Sequence, residues 1–551
     1  MLGSVVYKAF SLFIASESLA SGKAINGKPF PPLIEAGLED LAAGLESGLF
    51  TSVDLVNAYT MRILEVNSTL RMVTEMNPDA LAVAADLDTL RAAGKVHGPL
   101  HGIPILIKNN IATADKMNNT AGSWALLGAK VAEDSTMAAK LRKAGAIILG
   151  KANLSQWANY RSTNSSNGWS AYGGQTEGAY YPKQDPSGSS SGSGVASSLG
   201  LALASLGTET DGSIISPSQL NNVVGIKPSV GLTSRYLVIP ISEHQDTVGP
   251  MAKTVKDAAY LLSAIAGQDE NDNYTSAIPF KKIPDYVSAC DYFALSGKRI
   301  GVPRNLFDTD EVYAPAVAAF DKSLDVFRAA GATVVDNLSL PGYELGNEGD
   351  FEGTVLSIDF VANLKSYLSK LTVNPNNITS LASLLDFTKS SPPEEWPHRN
   401  TETWETALNL TSYGTQSLAS ELWGNVTADI YYSGLLGITG ALKNYSLDAL
   451  VVPSHFATSL PARLGSPIVT VPLGKSPANT TVTKDYSGTL VMAAPNVPFG
   501  ISFLAERFSE EKLIGLAYAF EQRTMVRNTI VPYIQPVTEL ADVVAMKARR
   551  H

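Results

Sequence analysis

Residues 186–218 constrain the fold of this chain more than any other stretch of its sequence. They read PSGSSSGSGVASSLGLALASLGTETDGSIISPS, two Gly/Ser clusters on either side of a small apolar run at 195–206. That run is too short to cross a membrane, which needs about 20 apolar residues. We predict a tightly packed buried helix, with the clusters at its ends, where backbone N–H groups can converge on an anion.

The first cluster admits several interpretations. A phosphate-binding loop is disfavoured because GSSSGSG carries no Lys followed by Ser or Thr. Residues 188–192 fit the G-x-S-x-G pattern of a nucleophile elbow, with Ser190 as the nucleophile, although YYPKQDPSG rather than an apolar strand precedes them. A flexible Ser/Gly linker would not run directly into an apolar segment and a second Gly/Ser turn.

A third interpretation is that the whole stretch resembles the amidase signature family. The family pattern is P-G-G-S-S-G-G-S, an Ala-rich helix, and G-T-D-T-G-G-S-I-R-x-P. Residues 186–193 and 207–217 align with its two blocks without a gap. Residues 102–110, GIPILIKNN, resemble the motif that carries the family's lysine. These three separated motifs occur in the family's order.

Three positions depart from the general pattern. Glu209 stands for the usual Asp, Asp211 for a Gly, and Ile215 for the usual Arg. The same substitutions resemble the branch of the family that holds bacterial peptide amidases. They therefore narrow the resemblance to that branch.

The resemblance implies an amidase with a Ser-cisSer-Lys triad. Its nucleophile would be Ser213, Ser189 would follow a cis bond from Gly188 and relay protons, and Lys108 would be the base. The backbone N–H groups implied for the oxyanion hole are those of Thr210, Asp211, Gly212 and Ser213. A lysine begins near pKa 10.4 and must be desolvated to act as a base. The end of a buried strand, with no acidic residue in 103–110, suits that requirement.

Candidate substrate contacts are Gln175, Thr176 and Ser190, together with residues 153–161, which resemble loops that border the family's site. The alternative that uses Ser190 is a Ser-His-Asp esterase, and its histidine would be one that follows the serine in the chain. The candidates for that histidine are His244, His398 and His455. None of them lies in a recognisable motif, and His101 precedes the serines.

Alternating strand and helix patterns predict α/β architecture. A helix begins at Thr51 or Ser52 and carries one apolar face that includes Val56 and Leu64. We predict strands at 103–107, 146–149, 299–302, 449–452, 467–472 and 500–504. One helix is predicted to begin at Asp134, and three further helices are predicted at 255–266, 314–330 and 509–522. The resemblance implies a single large domain over 23–551, with a mixed twisted central β-sheet covered by helices on both faces. A more polar segment at about 340–430 is predicted as a variable insertion that borders the site.

Composition limits the function classes. Apolar residues make up 45% of the chain and charged residues 17%, so it can bury a large core and is not disordered. The net charge of −10 and the lack of a Lys/Arg run argue against nucleic acid and acidic membrane surfaces as partners. Cys290 is the one cysteine and the six histidines are scattered, so the sequence predicts no metal and no cofactor.

The N-terminus and the sequons favour secretion. Residues 1–22 are predicted as a possible signal peptide, with a short apolar run and a small-residue cleavage site. The alternative is a short amphipathic helix of the mature protein, and the alternative location is cytoplasmic. Chance would give roughly five N-x-S/T sequons in such a composition. The chain has eleven, at Asn67, Asn118, Asn153, Asn164, Asn273, Asn337, Asn377, Asn409, Asn425, Asn444 and Asn479. We therefore expect a secreted glycoprotein.

The sequence thus predicts an amidase that hydrolyses carboxamide C–N bonds to an acid plus ammonia or an amine, with C-terminal peptide amides as one substrate class. Its partner is a small-molecule or peptide amide, with no nucleic acid and no stable membrane insertion, and the oligomeric state stays open. Besides the esterase, one alternative keeps the fold and makes the chain the amide-hydrolysing subunit of a tRNA-dependent amidotransferase. A catalytically silent binding protein is disfavoured because all three catalytic side chains are present.

Overall fold

A computed structural model describes residues 24–25, 28–307, 310–412 and 415–549. The signal peptide predicted at residues 1–22 lies outside these residues. The structure is one large α/β domain, as the sequence predicts, and it is organised on a mixed central sheet.

The strands of the described residues include several short pairs besides those of the central sheet. In chain order they are β1 (Ala24–Ile25), β2 (Lys28–Pro29), β3 (Val73–Met76), β4 (Pro104–Lys108), β5 (Lys130–Val131), β6 (Ile147–Ala152), β7 (Trp169–Ser170), β8 (Gly174–Gln175), β9 (Ala204–Glu209), β10 (Val224–Lys227), β11 (Thr247–Ala252), β12 (Arg299–Pro303), β13 (Thr333–Leu338), β14 (Leu371–Val373), β15 (Ala449–Pro453), β16 (Ile468–Lys475), β17 (Thr483–Lys484), β18 (Val491–Ala493) and β19 (Pro498–Leu504).

Within the described residues the central sheet has eleven strands, in the order β13-β12-β15-β19-β16-β10-β11-β9-β4-β6-β3. Strands β9, β4 and β6 are parallel neighbours, and β11 pairs antiparallel with β9. Because parallel strands share a direction, the segments that follow β4 and β9 leave the sheet at the same edge. That edge brings the predicted lysine motif to the second Gly/Ser cluster.

The helices of the described residues are α1 (Leu38–Glu46), α2 (Ser52–Leu70), α3 (Ala80–Ala92), α4 (Thr136–Lys143), α5 (Ser191–Ser198), α6 (Ile215–Leu220), α7 (Val255–Ile265), α8 (Ala314–Ala329), α9 (Pro341–Asn347), α10 (Phe351–Leu368), α11 (Leu381–Ser390), α12 (Glu402–Thr411), α13 (Thr415–Ile430), α14 (Ile438–Asn444), α15 (Ser459–Leu464), α16 (Glu510–Thr524) and α17 (Leu540–Ala548). In this part of the chain no helix combines the length and hydrophobicity needed to cross a bilayer.

Helices cover both faces of the sheet. Successive residues of a strand point to opposite faces. In β15, Val451 belongs to one apolar cluster while Leu450 and Val452 belong to another. The first cluster includes α16 and the second includes α6 and α15, so each face of the sheet has its own buried core.

The predicted helix at 195–206 is only half correct. Helix α5 ends at Ser198, and Gly200, with φ +58°, lies so close to Leu33 that a Cβ would be 2.3 Å from its carbonyl oxygen. The chain then continues as strand β9, which has sheet partners on both sides. A short apolar run buried on both faces has the same composition in a helix and in a central strand, so periodicity could not separate the two.

Other predicted elements differ by small amounts. Helix α2 begins with the Thr51 cap, which accepts a hydrogen bond from the Asp54 N–H, and it buries Val56. Leu64, predicted on the buried face, is 69% exposed. The helix predicted to open at Asp134 is instead capped by Ser135. The ends of the remaining predicted strands and helices lie within three residues of the observed ends.

Residues 340–430, which we call the insertion segment, are largely helical and include α9 to α13. Phe360 and Trp404 from this segment form an apolar cluster with Trp157 from the 153–161 loop. The rings of Trp157 and Trp404 meet edge to face with centroids 5.8 Å apart. The insertion segment therefore packs directly on a loop that the sequence predicts at the site.

Candidate active site

Lys108 is the last residue of β4 and is fully buried. Its Nζ lies 2.8 Å from Ser189 Oγ, 2.8 Å from Thr208 Oγ1 and 3.1 Å from the Thr208 carbonyl oxygen. Thr208 belongs to the neighbouring strand β9, so the sheet itself fixes the position of the amine. Within the described residues no carboxylate forms an ion pair with Lys108.

Burial lowers the pKa of Lys108 to about 7, and the more distant charges of Asp246 and Glu209 oppose only part of that effect. A neutral amine here can donate to the carbonyl and hydroxyl oxygens of Thr208 and accept the proton of the Ser189 hydroxyl. The geometry and the charge state both suit proton transfer between Ser189 and Lys108.

Ser189 follows a cis peptide bond from Gly188, as the resemblance implies. A Cβ at Gly188 would lie 2.3 Å from Ser155 Oγ and 2.9 Å from Asn159 Nδ2, so this position has no room for a side chain. Ser155 N–H donates to the Ser189 carbonyl oxygen at 3.0 Å. The loop that carries Ser155 and Asn159 therefore holds the Ser189 backbone in place.

Ser213 lies in the turn that follows β9, and 7% of it is exposed. Ser190 N–H donates to the Ser213 carbonyl oxygen at 3.1 Å, which ties the two serine clusters together. Among the described residues no hydrogen bond joins the hydroxyls of Ser189 and Ser213. The structure thus contains the lysine–serine contact of the predicted relay, and the backbone bond between Ser190 and Ser213 places the second serine beside the first cluster.

The turn at 210–213, which ends at Ser213, is held by the carboxylate of Glu209. Glu209 Oε2 accepts the N–H groups of Ile214 at 2.6 Å and Ile215 at 2.9 Å. Gly212 has φ +77°, a conformation that glycine adopts without strain. The N–H groups of Thr210 and Asp211 have no hydrogen-bond acceptor among the described residues. They remain available for a bound anion.

Two acidic side chains lie beside this turn: Asp246, which the sequence reasoning missed, and Asp211, which it considered only for its backbone N–H. Asp246 accepts a 2.5 Å hydrogen bond from Thr210 Oγ1, and burial raises its pKa to about 6. Asp211 is half-buried, and burial, with Glu352 of the insertion segment as a further cause, raises its pKa to about 7. Asp246 is distant in sequence from both clusters, and no local pattern marks it.

The predicted substrate contacts are largely committed to the protein. Thr176 is fully buried and its Oγ1 donates to the Arg71 carbonyl oxygen at 2.8 Å. Gln175 Nε2 donates to the carbonyl oxygens of Asn167 and Thr176 at 2.6 and 2.8 Å. Ser190 is fully buried and its Oγ donates to the Thr208 carbonyl oxygen at 3.1 Å. These bonds hold loops and β9 in place.

The histidine geometry does not favour an esterase. His244 Nδ1 lies 2.7 Å from Asp359 Oδ2, and with Glu243 these two form a group of possible metal ligands within 4.8 Å of one another. The His455 ring stacks on Tyr313 at 3.8 Å. Within the described residues the hydrogen bonds of His101 and His244 go to groups other than Ser190 and Ser213, and Ser190 Oγ donates to the Thr208 carbonyl oxygen.

The 153–161 loop contains three consecutive residues in the left-handed region, Trp157, Ala158 and Asn159, with φ of 52°, 54° and 68°. Such a run is unfavourable for residues with a Cβ, and it persists only where surrounding contacts hold it. Glu394 of the insertion segment supplies such contacts: it is fully buried and accepts from Gln156 Nε2 at 2.5 Å. Asn159 is exposed beside the Gly188 backbone.

Comparisons with known proteins point to one family. A family model described as Amidase matches residues 54–514. A protein of Arthroderma benhamiae, named as a candidate amidase, is 51% identical over 534 residues, which cover 93% of this chain and 89% of the relative. The X-ray structure of native peptide amidase from Stenotrophomonas maltophilia superposes with a TM-score of 0.81 at 38% identity, covering 92% of this chain and 100% of that chain.

The amidotransferase subunits that match this chain over most of its length are less similar to it than the Arthroderma benhamiae protein is. The A-type subunit of glutamyl-tRNA(Gln) amidotransferase from Prochlorococcus marinus is 30% identical over 499 residues, covering 88% of this chain and 96% of the relative. At similar coverage the identity falls from 51% to 30%. The chain is therefore more similar to the amidases than to this component of an amidotransferase.

Proposed function

The chain belongs to the amidase family, and from that premise we propose that it cleaves carboxamides through Ser213 as nucleophile, Ser189 as proton relay and Lys108 as base. The observation that carries this proposal is the 2.8 Å contact between a fully buried lysine amine and the hydroxyl of Ser189. A hydroxyl is a weak nucleophile until a neighbouring base takes its proton. Lys108 is the buried base whose contacts include that serine.

The proposed acylation step moves one proton along the relay. As Ser213 Oγ attacks the amide carbon, its proton passes to Ser189 while the Ser189 proton passes to Lys108 Nζ. The relay then runs backwards: Lys108 returns a proton to Ser189, Ser189 protonates the leaving nitrogen, and the C–N bond breaks. The products are an ester on Ser213 and free ammonia or an amine.

Deacylation repeats the cycle with water. Water gives a proton to Ser189 as its oxygen attacks the ester carbon, and Ser213 leaves as a hydroxyl when it receives the returning proton. The product is a carboxylic acid, and Lys108 ends neutral, as it began. The earlier acylation step requires the Ser213 hydroxyl to turn toward Ser189, which is permitted because Ser213 Oγ has no hydrogen-bond partner among the described residues.

The turn before Ser213 would stabilise the oxyanion of both tetrahedral intermediates. Backbone N–H groups at Thr210 and Asp211 are unused in the described residues, and Gly212 and Ser213 continue the same turn. One such donor is typically worth about 3–4 kcal/mol of the barrier. The hydrogen bonds from Ile214 and Ile215 to Glu209 hold this turn before substrate arrives, so the donors need little reorganisation.

For the substrate we propose the C-terminal amide of a peptide. Support comes from the similarity over nearly the full length to a protein named as a peptide amidase. Asn159 is exposed beside Gly188; its Nδ2 donates to Asn167 Oδ1 at 3.1 Å, which leaves its second amide proton and its Oδ1 for the backbone of a peptide. A panel running from short aliphatic amides to N-blocked dipeptide amides, assayed by ammonia release, tests this. The dipeptide amides should have the higher kcat/KM, and a preference for the aliphatic amides would contradict the substrate proposal.

Covalent labelling tests the nucleophile. A sulfonyl fluoride should inactivate the enzyme and modify Ser213, identified by peptide mass mapping. Ser213→Ala should lose nearly all turnover and all labelling, whereas Ser189→Ala should keep a slow residual rate because water can replace part of its relay. A label on Ser190 would contradict the assignment and favour the histidine-based esterase.

We also propose that the protein is a secreted glycoprotein. Its excess of sequons supports this, and Asn337, Asn377 and Asn409 are exposed. Asn153 is fully buried and its amide donates to Thr176 Oγ1 at 2.9 Å, so it should carry no glycan. Peptide mapping of protein from its native host checks both statements. Intact residues 1–22 together with no glycan at any sequon would contradict secretion.

A further inference from the structure

Glu394, in the insertion segment, is a fully buried carboxylate whose two oxygens both accept hydrogen bonds. Oε1 accepts from Ser123 Oγ at 2.7 Å and from the Trp124 N–H at 2.8 Å. Oε2 accepts from Gln156 Nε2 at 2.5 Å and from Arg161 Nη1 at 3.3 Å. A carboxylate with both oxygens satisfied in this way fixes the groups that donate to it.

The same carboxylate closes a junction between the insertion segment and the 153–161 loop. Arg161 Nη2 donates to the carbonyl oxygens of Glu394 and Arg399 at 2.8 and 2.7 Å, and Arg161 Nη1 donates to Gln156 Oε1 at 2.7 Å. The guanidinium of Arg161 and the carboxylate of Glu394 are both buried and form an ion pair. Removing one charge of a buried pair leaves the other uncompensated, so the junction depends on both.

This junction holds a loop conformation that the loop's own residues do not favour. Residues 157–159 have φ of 52°, 54° and 68°, and residues with a Cβ keep such a run only where surrounding contacts hold it. The run lies between Gln156 and Arg161, the two loop residues whose side chains bond Glu394. The anchors on both sides of the run are therefore attached to the same carboxylate.

The 153–161 loop in turn contacts the backbone that carries the proposed relay serine. The Ser155 N–H donates to the Ser189 carbonyl oxygen at 3.0 Å. A Cβ at Gly188 would lie 2.3 Å from Ser155 Oγ and 2.9 Å from Asn159 Nδ2, so the loop packs directly against this glycine. A shift of the loop would therefore pass to Ser189 and to its 2.8 Å contact with Lys108 Nζ.

We propose that Glu394 is a positioning residue for the reaction: it holds the 153–161 loop so that the loop places Ser189 Oγ against Lys108 Nζ. The inference rests on the relay role proposed above for Ser189. In the described part of the chain the side-chain hydrogen bonds of Glu394 go to the four donors named above, and it acts on the relay only through the loop. A misplacement of about 1 Å can cost about 10²-fold in rate, so such a contact can control activity from outside the site.

The first test is Glu394→Gln, which keeps the size of the side chain and removes its charge. Its new NH₂ group would face donors, and Arg161 would lose its ion pair. For a folded full-length protein, kcat/KM for an amide that the wild type hydrolyses should fall by about 10- to 100-fold. Glu395→Gln is the matched control: Glu395 is exposed and pairs with Arg399 at 2.9 Å, and this variant should stay within about twofold of the wild type.

A double-mutant cycle with Ser189→Ala tests whether the effect passes through Ser189. Where the Ser189 hydroxyl is already absent, Glu394→Gln should change the residual rate by less than about threefold, because there is no hydroxyl left to place. A loss caused by general damage to the protein lowers the rate by the same factor in both backgrounds. A 10- to 100-fold loss in the Ser189→Ala background, about as large as in the wild type, would therefore overturn the proposal.

An exchange of the two partners tests the junction by rescue. In Glu394→Gln combined with Gln156→Glu the carboxylate moves to position 156, where Arg161 Nη1 already lies 2.7 Å from the side-chain oxygen. One carboxylate, one amide and the ion pair are kept, so kcat/KM should return to within about threefold of the wild type. A folded exchange variant as impaired as Glu394→Gln would contradict the role of the ion pair.

Gln156→Met guards against failure of Glu394→Gln to fold, since it leaves the carboxylate ionised and paired with Arg161. It should lower kcat/KM by at least about threefold, again only when Ser189 is present. Wild-type activity in folded Glu394→Gln, or in Gln156→Met where the first variant does not fold, overturns the proposal. If Ser189→Ala loses activity in that case, the proposed function stands and this inference alone fails. Full activity in Ser189→Ala would overturn both.

Discussion

Lys108 and Lys151 lie on the neighbouring parallel strands β4 and β6, and both are fully buried. Burial lowers the pKa of each amine to about 7. Their partners differ: Lys108 Nζ contacts the Ser189 hydroxyl at 2.8 Å, whereas Lys151 Nζ donates to the Ile111 carbonyl oxygen at 2.6 Å and to Asn119 Oδ1 at 2.8 Å. A carbonyl oxygen has no proton to give, so Lys151 cannot act as a base toward its partners.

The register of β4 against β6 explains why the side chains of Lys108 and Lys151 meet different partners. Lys151 pairs with Ile107, so Lys108, one residue further along β4, points to the opposite face of the sheet. That face meets Ser189 and Thr208. A lowered pKa therefore identifies a buried lysine, and the hydroxyl beside it is what distinguishes a candidate base from a structural lysine.

The largest effect we predict separates the two lysines by activity. Lys108→Ala should lower kcat/KM by about 10²–10⁴-fold, because it removes the general base. Lys151→Leu should change kcat/KM by less than about threefold, because Lys151 touches none of the proposed catalytic groups. Amide hydrolysis measured at pH 8 for both purified variants, with circular dichroism to confirm folding, makes the comparison.

Two results would break this comparison. Full activity in Lys108→Ala would remove the lysine from the mechanism. A loss of kcat/KM in a folded Lys151→Leu as large as that in Lys108→Ala would show that activity depends on buried amines on both faces of the sheet. The contact between Lys108 and Ser189 would then not account for the loss in Lys108→Ala.

The next effect concerns pH. The working form of Lys108 is the neutral amine, and its pKa is lowered to about 7. Activity should therefore rise with pH through about 7 and fall about tenfold for each pH unit below it, since the protonated amine cannot accept a proton. A profile of kcat/KM from pH 5 to 9 measures this limb. It should be unchanged in Lys151→Leu, and an activity that stays constant down to pH 5 would contradict a lysine base.

A third prediction concerns the pH dependence of stability that comes from the buried amine of Lys151. The unfolded-state pKa of Lys151 is near 10.4, above its folded value of about 7, so between these values the unfolded chain binds more protons. The free energy of unfolding contributed by this residue therefore rises with pH across that window, by about 1.4 kcal/mol per pH unit. Lys151→Leu should lack this slope. Urea unfolding at pH 7.5 and 9.5 compares the two proteins, and identical pH dependence would count against the buried amine being neutral.

Much of this arrangement is predictable from sequence because it depends on local motifs. The family, the fold class and the amidase function are confirmed. The strand that carries Lys108 and the cis bond before Ser189 lie where the motifs predict them. The catalytic roles of Lys108, Ser189 and Ser213 stay predictions, since geometry alone does not measure a reaction.

The rest could not be read from sequence because it depends on contacts between distant segments. Thr208 reaches Lys108 only through the parallel pairing of β4 and β9. Glu394 of the insertion segment accepts a hydrogen bond from Gln156 of the 153–161 loop, although more than 230 residues of chain separate them. Thr176 matched a family loop but is buried, since a motif gives the position of a residue in the chain and not the direction of its side chain.

The smallest effect we predict concerns the neighbouring hydroxyls of Ser189 and Ser190, which repeat the contrast between the two lysines. Ser189 Oγ contacts Lys108, whereas among the described residues Ser190 Oγ bonds only the backbone of Thr208, at 3.1 Å to its carbonyl oxygen and 3.2 Å to its N–H. Ser190→Ala should therefore cost about 1 kcal/mol of stability and leave kcat/KM within about threefold of the wild type. Sulfonyl fluoride labelling of Ser213 should be unaffected. A loss in Ser190→Ala comparable to that in Ser189→Ala, with the protein folded, would mean that burial beside the nucleophile matters more than contact with the lysine.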